Sequence, residues 1–171
     1  MDTTDTILTI LAVRSFQDRA VPDEVVRQIL EAGRLTASAM NKQPWHFVVV
    51  QDRARLAELA TAVKTGPYIA DAPLAIVVVV DRTKWSISDA SRAVQDMMLT
   101  AWSLGVGSNW VGFAGALGAV NDLLGIPADL EVVTVIPFGY PKDNIGKGKK
   151  NRKPFEDLVY WESWGTTAPT T

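Results

Sequence analysis

The chain has no cysteine and a single histidine, His46. Absence of cysteine removes disulfides, thiolate metal sites and a cysteine nucleophile together. One histidine excludes a multi-histidine metal centre and leaves little room for a Ser/His/Asp triad. His46 stands at the start of an apolar run and reads as a structural residue. No apolar stretch approaches the roughly 20 residues needed to span a membrane. A formal net charge of -2 gives no general attraction to nucleic acid or anionic lipid. Phosphate-binding glycine motifs are missing as well. Gly105, Gly107 and Gly112 lack the dinucleotide spacing and follow a helical pattern instead of a strand, and no P-loop pattern occurs. Met1 to Thr6 is polar and acidic, unlike a secretory signal, so a cytoplasmic protein is the expectation. Chemistry without metal, thiol or histidine points to a bound organic cofactor.

What is present is a globular composition, with 47% hydrophobic and 21% charged residues in 171. That length predicts one domain, spanning 1–165, with a Thr-rich disordered tail over 166–171. Asp2, Thr3 and Thr4 can cap a first helix whose apolar stripe is Ile7, Leu8, Ile10 and Leu11. Pro22, Asp23 and Glu24 open a second helix with Val25, Val26, Ile29, Leu30 and Gly33 on its inner face. Leu56, Leu59, Ala60 and Val63 mark a third over Arg53 to Lys64, ended by Gly66-Pro67. A long fourth, starting near Ser86 or Ser88 and reaching Leu104, is apolar on most sides, and a short one runs from Ala116 to Leu124. Phe47 to Val50 reads as a strand buried on both faces, Ala75 to Val80 as a central strand, and Val132 to Phe138 as a third. Strands and long helices in this order predict helices packed around a mixed sheet.

Three places suggest ligand chemistry. The stretch Ala37 to Trp45 forms a loop entering a strand, so its backbone amides, Ser38 and Asn41 can be held at fixed geometry. Val111-Gly112 follows the long helix, and glycine there lets a planar ligand approach backbone amides. Lys147, Lys149, Lys150, Arg152 and Lys153 form a basic cluster suited to phosphate, and Arg14 is a lone guanidinium after an apolar helix. Phosphate, flat ring and backbone donors together describe a flavin mononucleotide (FMN) site better than other common cofactors. Beyond the basic cluster, Phe155, Leu158, Val159, Tyr160, Trp161 and Trp164 need cover from their own domain or from a second subunit.

Several segments, in order, resemble the flavin-dependent nitroreductase family. They are Val13-Arg14-Ser15-Phe16, Val21-Pro22-Asp23-Glu24-Val25 and Ser38-x-x-Asn41-x-Gln43-Pro44-Trp45. Gly105-Val106-Gly107-Ser108, Phe138-Gly139-Tyr140-Pro141 and Lys150-x-Arg152-x-Pro154 continue the set. The resemblance implies an α+β fold with a mixed central β-sheet flanked by helices. It further implies a homodimer with FMN at its interface and a domain-swapped C-terminal segment wrapping the partner. Arg14 matches the family's basic residue at the flavin pyrimidine ring, where positive charge favours the anionic reduced flavin. Ala37, Ser38 and Ala39 match the segment that contacts flavin across the dimer, with Asn41 close by. Val111 and Gly112 match the pair whose amides face flavin N5 and O4, and Lys150 and Arg152 match the phosphate clamp. The implied activity is ping-pong transfer of electrons from NADH or NADPH to a small-molecule acceptor: a nitroaromatic, a quinone or another conjugated electrophile. Ile10, Leu11 and Ala12 depart from the family, which places basic and hydroxyl residues there. That departure keeps open a non-enzymatic flavin store or sensor, a dimer without cofactor, or a relative that uses a deazaflavin or takes flavin as substrate.

Overall fold

Valine and isoleucine fill β2 (Leu74–Asp81), and every residue of it but Asp81 is buried. Such a strand needs cover on both faces, and the computed structural model, describing residues 1–142 and 150–167, supplies it. Leu74, Ile76, Val78 and Val80 face a layer formed by α2 (Asp23–Leu35) and α4 (Ser86–Ser103). Ala75, Val77 and Val79 face the opposite layer, formed by α3 (Arg53–Ala62) and α5 (Gly118–Leu124). Period-two alternation thus serves two cores at once. Further elements are α1 (Thr3–Thr9), β1 (Trp45–Val50), β3 (Gly107–Ser108) and β4 (Leu130–Gly139). The fold is α+β.

Sheet order is β1-β2-β4-β3, and all pairs of these strands are antiparallel. The parallel part of the expected mixed sheet is a single bridge, Ala12 to Ser108. The register of β2 on β4 skips Val133: Val78 faces Thr134 while Val79 faces Val132. This bulge turns Val133 into the α2/α4 core, and the neighbouring Thr134 hydroxyl donates to Val111 O at 2.8 Å.

Two expectations need correction. β1 is an edge strand, not one buried on both faces: among the described residues it pairs with β2 alone, His46 and Val49 are exposed, and Phe47 and Val48 are half-buried. An apolar run does not reveal how many neighbours a strand has. His46 consequently lies in solvent, with Nε2 3.3 Å from Asp81 Oδ1 on the neighbouring strand. The first helix stops at Thr9, so Ile10 and Leu11 fall beyond it, and Ile7 and Leu8 are exposed.

Helix ends follow local chemistry. Asp2 Oδ1 accepts the Asp5 N–H at 2.8 Å, and Asp52 Oδ1 accepts that of Arg55 at 2.9 Å. Pro22 precedes α2, whose first turn carries Asp23 and Glu24. Ser86 donates to Asp81 O, tying the start of α4 to the end of β2. Gly33 on α2 sits where a Cβ would meet Met97 Cγ at 2.9 Å and Phe47 Cζ at 3.0 Å. It permits close packing of α2 on α4.

Candidate functional site

The loop from α2 to β1 is built from backbone that side chains ordinarily avoid. Met40, Asn41 and Gln43 have φ values of 53°, 54° and 48°. Left-handed backbone at a non-glycine residue costs on the order of 1–2 kcal/mol, with asparagine the more tolerant type. Local bonds hold this shape. Ser38 Oγ accepts the Gln43 N–H at 2.8 Å, and Asn41 N donates to Ser38 O at 3.1 Å. Ala39 N donates to the Asp89 carboxylate of α4. Ala37 and Asn41 are exposed at the rim, and Ser38 and Ala39 are half-buried.

Arg14 lies on the other side of the molecule, in a segment clamped at both ends. Val13 N donates to Ser108 O at 2.9 Å, and Lys142 N donates to Ser15 O at 3.0 Å. Its exposed side chain lines a cavity of about 520 Å³ with Ser15, Phe16, Asp18, Arg53, Asp71 and Lys142. Arg53 and Asp18 pair there at 2.5 Å, while Arg14 has no ion-pair partner among the described residues.

Val111 and Gly112 follow β3 on the same side. Val111 is buried and exchanges two backbone bonds with Val135, N to O at 3.1 Å and O from N at 3.0 Å. Of the two amides that the resemblance points to, Val111 N–H is therefore engaged, and Gly112 N–H has no partner among the described residues. Gly112 has φ +78°, and its carbonyl accepts Trp110 Nε1–H at 2.8 Å. Asn109 Nδ2 donates to the Tyr68 hydroxyl at 2.5 Å, bracing the same turn from behind.

Lys150 and Arg152 lie beside α1, lining a cavity of about 460 Å³ with Ile7, Leu8, Ile10, Leu11, Ala12, Gln95 and Met98. Lys150 Nζ donates to Ile7 O, and Arg152 Nη1 donates to Asn151 O at 3.1 Å. The two cations thus face an apolar wall made by the residues that depart from the family pattern. Lys147 and Lys149 fall outside the described residues. Lys153 is exposed.

Arg14 and Val111-Gly112 lie in segments along the β3 edge, where Ala12 bridges Ser108, and Ala12 also lines the cavity of Lys150 and Arg152; that cavity and the one at Arg14 share no residue. The Ala37–Asn41 loop does not join them. It meets α4 at Asp89, nine residues before Met98, which lines the Lys150 cavity. At 1.5 Å per residue that separation is about 13 Å along the helix. Among the described residues no three acidic groups or histidines come together as a metal site, and no helix is long and apolar enough to cross a membrane.

Sequence reasoning passed over Asp89, Asp96, Asn109 and Thr134. An acid in the first turn of a helix reads as a dipole partner, and nothing local distinguishes one that reaches another loop.

Comparison with known proteins bears on the family and the fold. The Nitroreductase family model matches residues 11–83 and 65–140. A protein of Archaeoglobus fulgidus with the provisional name NADH dehydrogenase/NAD(P)H nitroreductase is 36% identical over 168 residues, covering 92% of this chain and 96% of its own. The FMN-dependent nitroreductase of Clostridium difficile superimposes with a TM-score of 0.85 at 27% identity, over 94% of this chain and 99% of that one. A provisionally named nitroreductase of Desulfovibrio desulfuricans, solved in complex with FMN, gives 0.81 at 30% identity, over 96% and 98% of the two chains. By sequence and by fold, the chain belongs to the nitroreductase family.

Proposed function

We propose that the protein is an FMN-dependent oxidoreductase that takes hydride from NADH or NADPH. It then passes electrons to a nitroaromatic, a quinone or a similar conjugated acceptor in ping-pong order. The observation that carries this reading is the β3 edge of the sheet, where neighbouring segments carry Arg14 and Gly112 N–H, both without a partner among the described residues, and Ala12, which bridges to Ser108, lines the cavity of Lys150 and Arg152. This donor set suits a flat, anionic ligand with a terminal phosphate. Bound there, FMN would supply the hydride chemistry, and the protein would supply orientation and charge. Arg14 would stabilise negative charge on the ring, Gly112 would donate to its edge, and Lys150 with Arg152 would hold the phosphate.

The Ala37–Asn41 loop lies apart from that edge within one chain, which supports a site shared by two subunits. β1 has an open side, and the C-terminal segment exposes Phe155, Leu158, Trp161 and Trp164. In a homodimer that segment would wrap the partner and bury those side chains.

A second reading, a non-enzymatic flavin store or sensor, is favoured by the apolar wall of Ile10, Leu11 and Ala12 facing the phosphate cluster. The visible spectrum of purified protein, followed by anaerobic NADPH or NADH, separates the two. Yellow protein that bleaches is expected. Yellow protein that resists both donors supports the store, and colourless protein that refuses FMN defeats both readings.

A further inference from the structure

Asp89 is a buried carboxylate that the flavin reading leaves without a role, its side chain only 2% exposed. It receives the Ala39 N–H on both oxygens, at 3.2 and 3.1 Å. Arg92, one turn along α4, pairs with the same carboxylate and is half exposed, so the charge is balanced without burying a second ion fully. Two turns beyond Asp89, Asp96 Oδ2 accepts the Thr36 hydroxyl at 2.6 Å. The two spacings match. Seven helical residues advance about 10.5 Å, and three residues of extended chain advance about 10 Å. Thr36 (φ -58°, ψ 142°) and Ser38 (φ -128°, ψ 159°) are indeed extended. The segment therefore runs antiparallel to α4 with each end bound to a carboxylate. Directly past the second tie come the left-handed residues Met40, Asn41 and Gln43. Backbone of that kind persists only where its surroundings hold it.

We propose that Asp89, with Asp96 as a second tie, is a positioning residue that sets the ligand-facing shape of Ala37–Asn41 before any ligand arrives. The proposal rests on the flavin reading of that segment. Without the tie, the loop samples other conformations and FMN must select the competent fraction. Its apparent affinity then falls by that fraction.

The test is FMN affinity, read by quenching of flavin fluorescence, together with hydrogen exchange at the Ala39 amide in the apo protein. Asp89→Ala removes the acceptor, and Asp89→Asn keeps one oxygen for Ala39 while losing the charge. We expect strong protection of the Ala39 amide in wild type and its loss in Asp89→Ala. The dissociation constant should rise about tenfold in Asp89→Ala and less than about threefold in Asp89→Asn. If Asp89→Ala does not fold, Asp89→Ser takes its place, since serine is too short to reach Ala39. A variant that melts lower yet binds FMN as wild type does would overturn the proposal, because Asp89 would then be a stability residue only. An unprotected Ala39 amide in wild type would also overturn it. Wild-type protein that fails to bind FMN would instead overturn the flavin reading, and the exchange rate alone would then decide whether Asp89 fixes the loop.

Discussion

β2 and the C-terminal segment are both rich in large apolar side chains, and the chain treats them in opposite ways. β2 is sealed between two helical layers from Leu74 to Val80. In the C-terminal segment Trp164 is 89% exposed and Phe155 68%, although Tyr160 and Trp164 touch in a tilted pair with ring centres 4.5 Å apart. The contrast separates two properties that hydrophobicity runs together. Apolar content says that a segment leaves water, but not which chain covers it. The body is complete in one copy. The periphery, where the proposed ligand residues sit, leaves apolar side chains uncovered.

The largest effect is expected in the body. Ile76→Ala in β2 removes a fully buried side chain from the α2/α4 core and should cost about 2–5 kcal/mol of unfolding free energy. Urea denaturation checks this, and a loss below 1 kcal/mol would mean that the core collapses around the gap far more readily than such cores do. At the periphery, Lys150→Ala with Arg152→Ala should leave the melting transition near wild type while weakening FMN by at least tenfold, since charge-assisted bonds contribute roughly 1.5–3 kcal/mol each. Titration calorimetry would show it, and unchanged affinity would remove those two cations from the site. The smallest effect on the body is expected from deleting Trp161 onward. The melting temperature of the truncated chain at high concentration should barely move, while sedimentation at low concentration should shift toward monomer. A truncated protein that stays dimeric on dilution would show that the tail is not the wrap.

Much of this division was legible in the sequence. The 3.6-residue spacing of Val26, Ile29 and Gly33 and the run Ala75 to Val80 correspond to α2 and β2, whereas α3 ends at Ala62, ahead of the expected Gly66-Pro67 stop, and Pro67 instead opens a short 3-10 turn. These are local signals, because periodicity and punctuation act on neighbouring residues. The edge position of β1 was not legible: Phe47 to Val50 is as apolar as a central strand, and only tertiary pairing shows that one side is open. β3, two residues long, carries no period at all. At the candidate site, residue identity pointed to the right segments but not to their bonding. No pattern in Val111-Gly112 tells that the first amide pairs with Val135 and the second does not. Met40 and Gln43 are residue types that give no hint of left-handed backbone, so the loop's shape had to come from its bonds to Ser38 and Asp89.

Gly33 ties the body to the periphery. It lies five residues before Ser38, at the point where α2 presses on Met97 and Phe47 with no room for a methyl group. A methyl group there would have to displace the Met97 side chain or the tip of the Phe47 ring, and Met97 follows directly on Asp96, the carboxylate that holds Thr36. The packing seam of the core and the anchorage of the loop thus share one turn of α4.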